Sequence, residues 1–508
     1  MHEFHAAQAC ADRAHGYHRH LNPGELRLAA LAAGYASAPD DDDFRYLELG
    51  FGPGVSVGFH AAATAGTYWG TDSNPGHAER ARSLAAASGA QTHLSDDAFW
   101  EFAMRRDLPD FDYIALHGVW SWITDESREV IVDLIRRKLK PGGIAYVSYN
   151  TAPGWAPYVP VRQLMALFAA RADTASAASG ALRFGAEVIS AGADDGHAVP
   201  DLARHLDAVE AAGHGERIDA YLSGDWTLST FSETAAHLAG ARLTFAGSTR
   251  LLDSVEAFGF TPRSRQLLDR IDDPLLRETT KDVLTNARVR SDVYIKGGRP
   301  MSDEALSAQW ASQLFVLTTH ASEMPAHVLL PPGVISLRDR VPGHVIAALA
   351  EDDYAPKTIA QLCAHPRLAR ASADDVIAAM LLLAGTGHAR AAQHPSAAIV
   401  DRCHTLNRHV RARARMGDPV EYLASPVTGG AIDVSRVVLL FLDAVEQGRD
   451  TVQSLARYLR RYLNAGDAAA RPDAAPHGPR VEGGDVVESM AEHFLTATLP
   501  MLRALRAV

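Results

Sequence analysis

The stretch RYLELGFGPGVS, residues 45–56, decides the fold. Tyr46, Leu47 and Leu49 read as a short buried strand. Gly50, Gly52 and Gly54 follow it as a loop in which the backbone turns sharply with nothing projecting beyond it. A bulky ligand can therefore lie directly on the main chain. A glycine loop after a strand also suits a dinucleotide or a plain tight turn. Glu48, an acid inside the end of the strand, sharpens the reading, and the loop lacks the closing Gly-Lys-Ser/Thr of a nucleoside-triphosphate cradle.

Outward from the loop, the chain alternates helix and strand. Residues 55–65 read as a helix, and TYWGTDSNP as a second strand ending at Asp72, with Ser73 beside it. An acid there, about twenty residues beyond the glycines, can accept hydrogen bonds from both hydroxyls of a ribose; capping the helix before Pro75 is its ordinary alternative. After a helix at 77–89, QTHLSDDAFWEF puts Asp96 or Asp97 at the end of the third strand. One of them is placed for the exocyclic amine of adenine, the other to start the next helix. DFDYIALHGVWSWIT, residues 110–124, is the most distinctive run. Its strand, Phe111–Leu116, delivers His117, Gly118, Val119, Trp120, Ser121 and Trp122 to the mouth of the crevice, although large aromatics also fill ordinary interiors. A helix at 127–139, stopped by Pro141-Gly142-Gly143, leads to IAYVSYN, which ends at Tyr149 and Asn150 before a loop with Pro153, Gly154 and Trp155. Five strands alternating with helices predict a parallel, doubly wound α/β sheet with its ligand along the strand ends.

The acid followed by G-x-G-x-G resembles motif I of the class I S-adenosylmethionine (SAM) methyltransferases. ELGFGPGVS, FDYIALHGVWSWIT and YVSYNTAPGW together resemble the branch that carries a methyltransferase regulatory domain. Residues 221–253 (YLSGDWTLSTFSETAAHLAGARLTFAGSTRLLD) and 273–297 (DPLLRETTKDVLTNARVRSDVYIKG) are similar to that regulatory domain itself. The resemblance implies a Rossmann-like catalytic domain with SAM as cofactor. It assigns Glu48, Gly50, Gly52, Gly54, Asp72, Ser73, Asp96, Asp97, His117, Gly118 and Val119 to cofactor binding. His117, Trp120, Trp122, Tyr149 and Asn150 fall on the acceptor side, where Trp120, Trp122, Tyr149 and Trp155 would line a channel for a lysine side chain. This branch is similar to bacterial lysine methyltransferases of outer-membrane proteins, which implies a protein substrate. Phe51 and Pro53 stand where relatives commonly have Cys and Asp.

Length and charge bound the rest. The 508 residues suffice for roughly three domains. These are the methyltransferase domain (1–170), a helical and flexible connection (171–220, including SAGADDGHAVP), a mixed regulatory domain (221–300, in which Trp226 reads as core or interface more than catalytic, and Arg288 and Arg290 as either functional or on a solvated face) and a helix-rich region (301–508). A net charge of −12 argues against broad nucleic-acid binding. Within the last region, residues 340–400 have a winged-helix-like order. Their presumed second helix carries acids such as Asp374, so the unit reads as a protein-contact or dimerisation module and not a DNA reader. Residues 465–484 read as a disordered loop. Cys10, Cys363 and Cys403 have no metal-ligand spacing, no apolar run is long enough to span a bilayer, and the N-terminal residues do not form a secretory signal, which together point to the cytoplasm. The helix-like run at 21–35 either covers the crevice or packs on the sheet edge. Three functions remain open at this stage: a protein-lysine methyltransferase, a small-molecule or surface-saccharide methyltransferase, and a non-catalytic SAM-binding regulator. The Asp/Asn-Pro-Pro-Tyr signature of amino-directed DNA methyltransferases is absent.

Overall fold

The computed structural model describes residues 16–36, 43–171, 177–194, 200–211, 222, 226–338, 340–417, 420–463 and 486–508. The loop expected at 465–484 lies outside the described residues. Among those described, the central element is a seven-stranded sheet in the order β3-β2-β1-β4-β5-β7-β6. Its strands are β1 (Arg45–Leu49), β2 (Thr67–Thr71), β3 (Thr92–Ser95), β4 (Phe111–Leu116), β5 (Leu139–Asn150), β6 (Leu243–Ser248) and β7 (Val289–Lys296). β1 pairs in parallel with β2 and β4, and β4 with β5, as the alternation predicts.

The last two strands come from the segment expected to form a separate mixed domain. β7 runs antiparallel to β5, from Ile144 opposite Ile295 to Asn150 opposite Val289, and β6 lies antiparallel on its outer edge. The regulatory segment is thus built into the catalytic sheet. Arg290, for which a solvated face is one of two readings of the sequence, is buried on β7, where its charge is matched by Asp292, Asp282 and Glu278.

The two-residue strand period divides the core. Leu47, Leu49, Ile114, Leu116 and Val147 pack on one face. Tyr46, Tyr68 and Tyr113 stack on the other, with ring centroids 4.9 and 5.9 Å from Tyr46. Helix Pro23–Ala32, capped by Asn22 accepting from Gly24 N at 2.7 Å, packs on this second face beside β6 and β7. The helix therefore takes the sheet-edge alternative. Just before it, His18 reaches the end of β4, its ring 4.1 Å from that of His117.

The described part of the connection is helical. Helices Ala177–Asp194 and Pro200–Ala211 pack with Val159–Ala169 around Tyr158, Met165 and Leu206.

In the last region, β8 (Leu314–Leu317) precedes a hairpin of β9 (His327–Leu330) and β10 (Gly333–Ser336). Helix Arg340–Tyr354, β11 (Lys357–Thr358), helices Ile359–Cys363 and Ala373–Gly385, and β12 (Ala389–Ala391) then follow in the expected winged-helix order. β11 and β12 both pair with β8, so the third strand comes from upstream and not from a hairpin beyond β12. Val376, Ala379, Met380, Leu382 and Leu383 bury the helix that would read a groove in a DNA-binding member. Beyond it lie helix Ala397–Ala414 and the hairpin of β13 (Tyr422–Ser425) and β14 (Gly430–Asp433). No helix among the described residues is long and apolar enough to cross a membrane.

Candidate active site

Gly50, Gly52 and Gly54 all have positive φ, at 73°, 56° and 76°. A Cβ on Gly50 would stand 2.4 Å from Val119 Cγ2, and one on Gly54 would stand 2.2 Å from Ala81 Cβ. Nothing lies within 4 Å of the corresponding position on Gly52. The loop is therefore clamped at both ends and open in the middle.

Asp72, at the end of β2, holds that middle. Its Oδ2 accepts from Gly52 N at 2.8 Å, and its Oδ1 accepts from Asn74 N and meets His77 Nδ1, both at 3.1 Å. Burial raises its carboxyl, but these bonds outweigh burial and hold it below the usual range, so it stays ionised. Asn74, and not Asp72, caps the next helix, accepting from Gly76 N at 2.9 Å. Asp72 Oδ2, with a single donor, retains acceptor capacity. Glu48 lies behind the loop, 3 % exposed, and its Oε2 accepts no hydrogen bond. Burial, with the Asp72 charge adding, pushes its carboxyl up to about 8.

Ser73 shares a cavity of about 370 Å³ with Ala98, Phe99, Trp100, Glu126, Ser127 and Val130. Phe99 and Trp100 were legible in the sequence only as part of a helix start, yet they provide its apolar surface. Asp96 and Asp97 face outward to arginines: Asp96 lies 3.5 Å from Arg82 and Asp97 3.2 Å from Arg105. Neither caps the following helix, whose first cap residue is Ala98, its amide held by Glu101 at 3.0 Å. The main-chain oxygen of Asp97 accepts from the Thr71 hydroxyl, which ties the ends of β2 and β3.

At the end of β4, His117 Nδ1 lies 2.9 Å from the Tyr146 hydroxyl, with the two rings stacked. Gly118 N donates to Ser148 Oγ at 2.7 Å. His18 lies over this group, its ring centroid 4.1 Å from that of His117 and its amide donating to Ser56 Oγ at 2.8 Å. Tyr146 and Ser148 were accessible to sequence reasoning, since they alternate on one face of β5. His18 was not, because no local signal brings residue 18 to the end of β4.

The expected acceptor-side residues divide. Trp120 is 1 % exposed in the core with Leu47, Leu116 and Ile131, and its carbonyl accepts from Arg128 Nε at 3.1 Å. It is a packing residue, because a strand end turning into a tight helical turn throws it back under the sheet. Tyr149 is also turned away, its hydroxyl donating to Asp292 Oδ2 at 2.8 Å, because alternation puts it opposite Ser148. The main-chain N–H of Asn150 donates to Ser121 Oγ at 2.8 Å, which ties the end of β5 to the turn after β4. Trp122 and Trp155 both meet Trp226, at 6.2 and 5.6 Å, outside the strand ends. Arginines already lie over two rings of this aromatic group. The Arg162 guanidinium lies 4.4 Å from the Trp226 ring centre and that of Arg288 4.5 Å from Tyr158. No group of three or more His, Cys, Asp or Glu among the described residues could hold a metal.

A methyltransferase-domain family model matches residues 47–143, and a model for a predicted methyltransferase regulatory domain matches residues 220–296. The fold and these matches define a class I SAM-dependent methyltransferase. Within that class the chain carries, beside the methyltransferase domain, a segment that matches the methyltransferase regulatory domain. It is 28 % identical over 497 residues, 97 % of both chains, to the uncharacterized protein sll1526 of Synechocystis. A Rickettsia prowazekii protein, the uncharacterized RP789, is 33 % identical over 153 residues, which cover 28 % of this chain and 26 % of that protein. Among solved structures, PKMT2 from Rickettsia typhi in complex with AdoHcy superposes with a TM-score of 0.68 at 17 % identity, covering 96 % of this chain and 98 % of that one. That likeness extends the shared fold across the C-terminal region.

Proposed function

We propose that SAM lies along the ends of β1, β2 and β4 and that its methyl group passes to a lysine side chain of a protein substrate. One observation carries the cofactor placement: a buried acid, Glu48, with an oxygen that accepts no hydrogen bond, directly behind a loop that is open only at Gly52. SAM supplies an electrophilic methyl on a sulfonium, and the protein supplies position and desolvation. Glu48 answers the cationic amino-acid end, Asp72 takes the ribose, and Gly118 and Val119 close the crevice from the β4 side. Ser73 and Phe99 border the adenine end, with Asp96 and Asp97 outside it. His117, held by Tyr146, faces the acceptor. A lysine must reach the methyl group uncharged, and leaving water for the crevice lowers its pKa.

The lysine assignment is supported by the three catalytic segments that resemble lysine methyltransferases and by a whole-length fold shared with a protein named PKMT2. A second reading, a small-molecule acceptor, is favoured by one feature: of the four aromatics expected to line a lysine channel, Trp120 and Tyr149 are buried away from the crevice. Incubation with methyl-labelled SAM and either a proteome or a metabolite pool separates the two. Label in the protein fraction, recovered as methyl-lysine after hydrolysis, is the expected result. Label confined to small molecules overturns the lysine assignment.

A further inference from the structure

Helix Val55–Ala63 starts directly after the glycine loop, and all nine of its residues are buried. The carbonyls at the far end of a helix have no partners within it, and burying them unpaired is costly. Here Thr64 Oγ1 donates to His60 O at 2.8 Å, and the donors to Ala62, Ala63 and Thr64 come from the C-terminal region. Gln393 Nε2 donates to Ala63 O at 2.7 Å and to Pro426 O at 2.9 Å. Arg402 donates from Nε to Ala62 O at 3.4 Å and from Nη2 to Thr64 O. Cys403, wholly buried, places its thiol 3.7 Å from Ala62 O. A cation at this end is also favoured by the helix dipole. The same region grips the segment that carries His18: Asn22 Nδ2 donates to Thr428 O at 3.0 Å, and Tyr17 lies 5.7 Å from Tyr422.

We infer that Arg402 and Gln393 are positioning residues of the cofactor site, acting through helix Val55–Ala63 on Gly50, Gly52 and Gly54. The inference rests on the proposal that the cofactor sits on that loop. A helix moves along its axis as a unit, so where its last turn is held determines where its first residue lies. The loop has no slack to absorb a shift, since Gly50 already abuts Val119 and Gly54 abuts Ala81. Removing the donors at the back of the helix therefore displaces the seat at the front.

The test is AdoHcy binding by calorimetry on the full chain, with SAM kinetics alongside. Arg402→Ala combined with Gln393→Ala is expected to raise the AdoHcy dissociation constant about tenfold, equivalent to about 1.4 kcal/mol. The loss should appear in the KM for SAM, with kcat at saturating SAM close to wild type. Arg402→Lys keeps the charge but cannot reach both carbonyls; it is expected to show a smaller loss in the same direction, and serves if the double variant does not fold. Asn407→Ala is the control. Asn407 braces β13 through Ala424, from the same helix as Arg402, without touching helix Val55–Ala63. It should lower the melting temperature while leaving AdoHcy affinity unchanged. Folded Arg402 and Gln393 variants that bind as wild type does overturn the inference, as does an equal affinity loss in Asn407→Ala at matched destabilisation. Wild-type protein that bound no AdoHcy would instead overturn the cofactor placement beneath it.

Discussion

At the scale of single residues, the site turns on two carboxylates kept in opposite states. Asp72 is ionised because three donors face it, whereas Glu48 has burial and a neighbouring charge against it. Asp72→Ala should weaken SAM binding by roughly 1–3 kcal/mol, since it removes both the ribose acceptor and the brace on Gly52 N. Calorimetry checks this, and an unchanged dissociation constant would take Asp72 out of the site. Glu48 yields a prediction about pH. Its carboxyl is raised from 4.5 to about 8, so its contribution to stability is full below 4.5 and is lost as pH rises towards 8. Between those limits the folded chain holds a proton that the unfolded chain has released, and stability falls as pH rises. Glu48→Gln should flatten that slope in urea titrations at pH 5.5 and 7.5 without cofactor. An undiminished slope would mean that another group carries it. The glycines, Glu48 and Asp72 were legible because strand, loop and following strand are local. The roles of Trp120 and Tyr149 were not, because which way a residue faces just past a strand depends on how the chain turns there.

At the scale of elements, β7 is the most informative. It was expected in a separate domain, yet it extends the catalytic sheet and brings Arg290 with it. Arg290 meets Asp292 on its own strand and Asp282 and Glu278 on helix Pro274–Thr285, and Tyr149 of β5 donates to the same Asp292. The network joins the regulatory helix to the strand that ends at the site. Arg290→Met leaves buried acids without their counter-charge and should cost about 3–5 kcal/mol of stability, read from urea unfolding. A cost below about 1 kcal/mol, the value of an exposed pair, would show that the network is solvated in solution. The sequence could not signal this. VRSDVYIK runs three polar residues into three apolar ones and is buried on both faces, and its partner is more than a hundred positions away, so no local pattern names it.

At the scale of the whole molecule, the expected division into successive units gives way to shared cores. One apolar cluster joins Tyr46 of β1, Ala246 of β6 and Leu382 of the winged-helix-like unit. Another joins Phe59 behind the glycine loop to Leu406, Leu423 and Leu502. Parts that share a core unfold together, so calorimetry should record one unfolding endotherm that AdoHcy shifts as a whole. Two separated transitions, with the ligand moving only the first, would show that the C-terminal region is independent of the catalytic sheet.

By itself the sequence determined the class of protein: a strand, an acid and three glycines in twelve residues specify a bare-backbone ligand seat, and strand–helix alternation specifies the parallel sheet around it. These are short-range patterns, set by backbone sterics and by which face of an element must be apolar. Only the tertiary structure decided that the regulatory segment completes the sheet, that His18 lies over His117, and that Arg402 and Gln393 close the helix behind the loop. Each of these joins residues far apart in the chain, and such contacts depend on the packing of whole faces, which local periodicity does not encode.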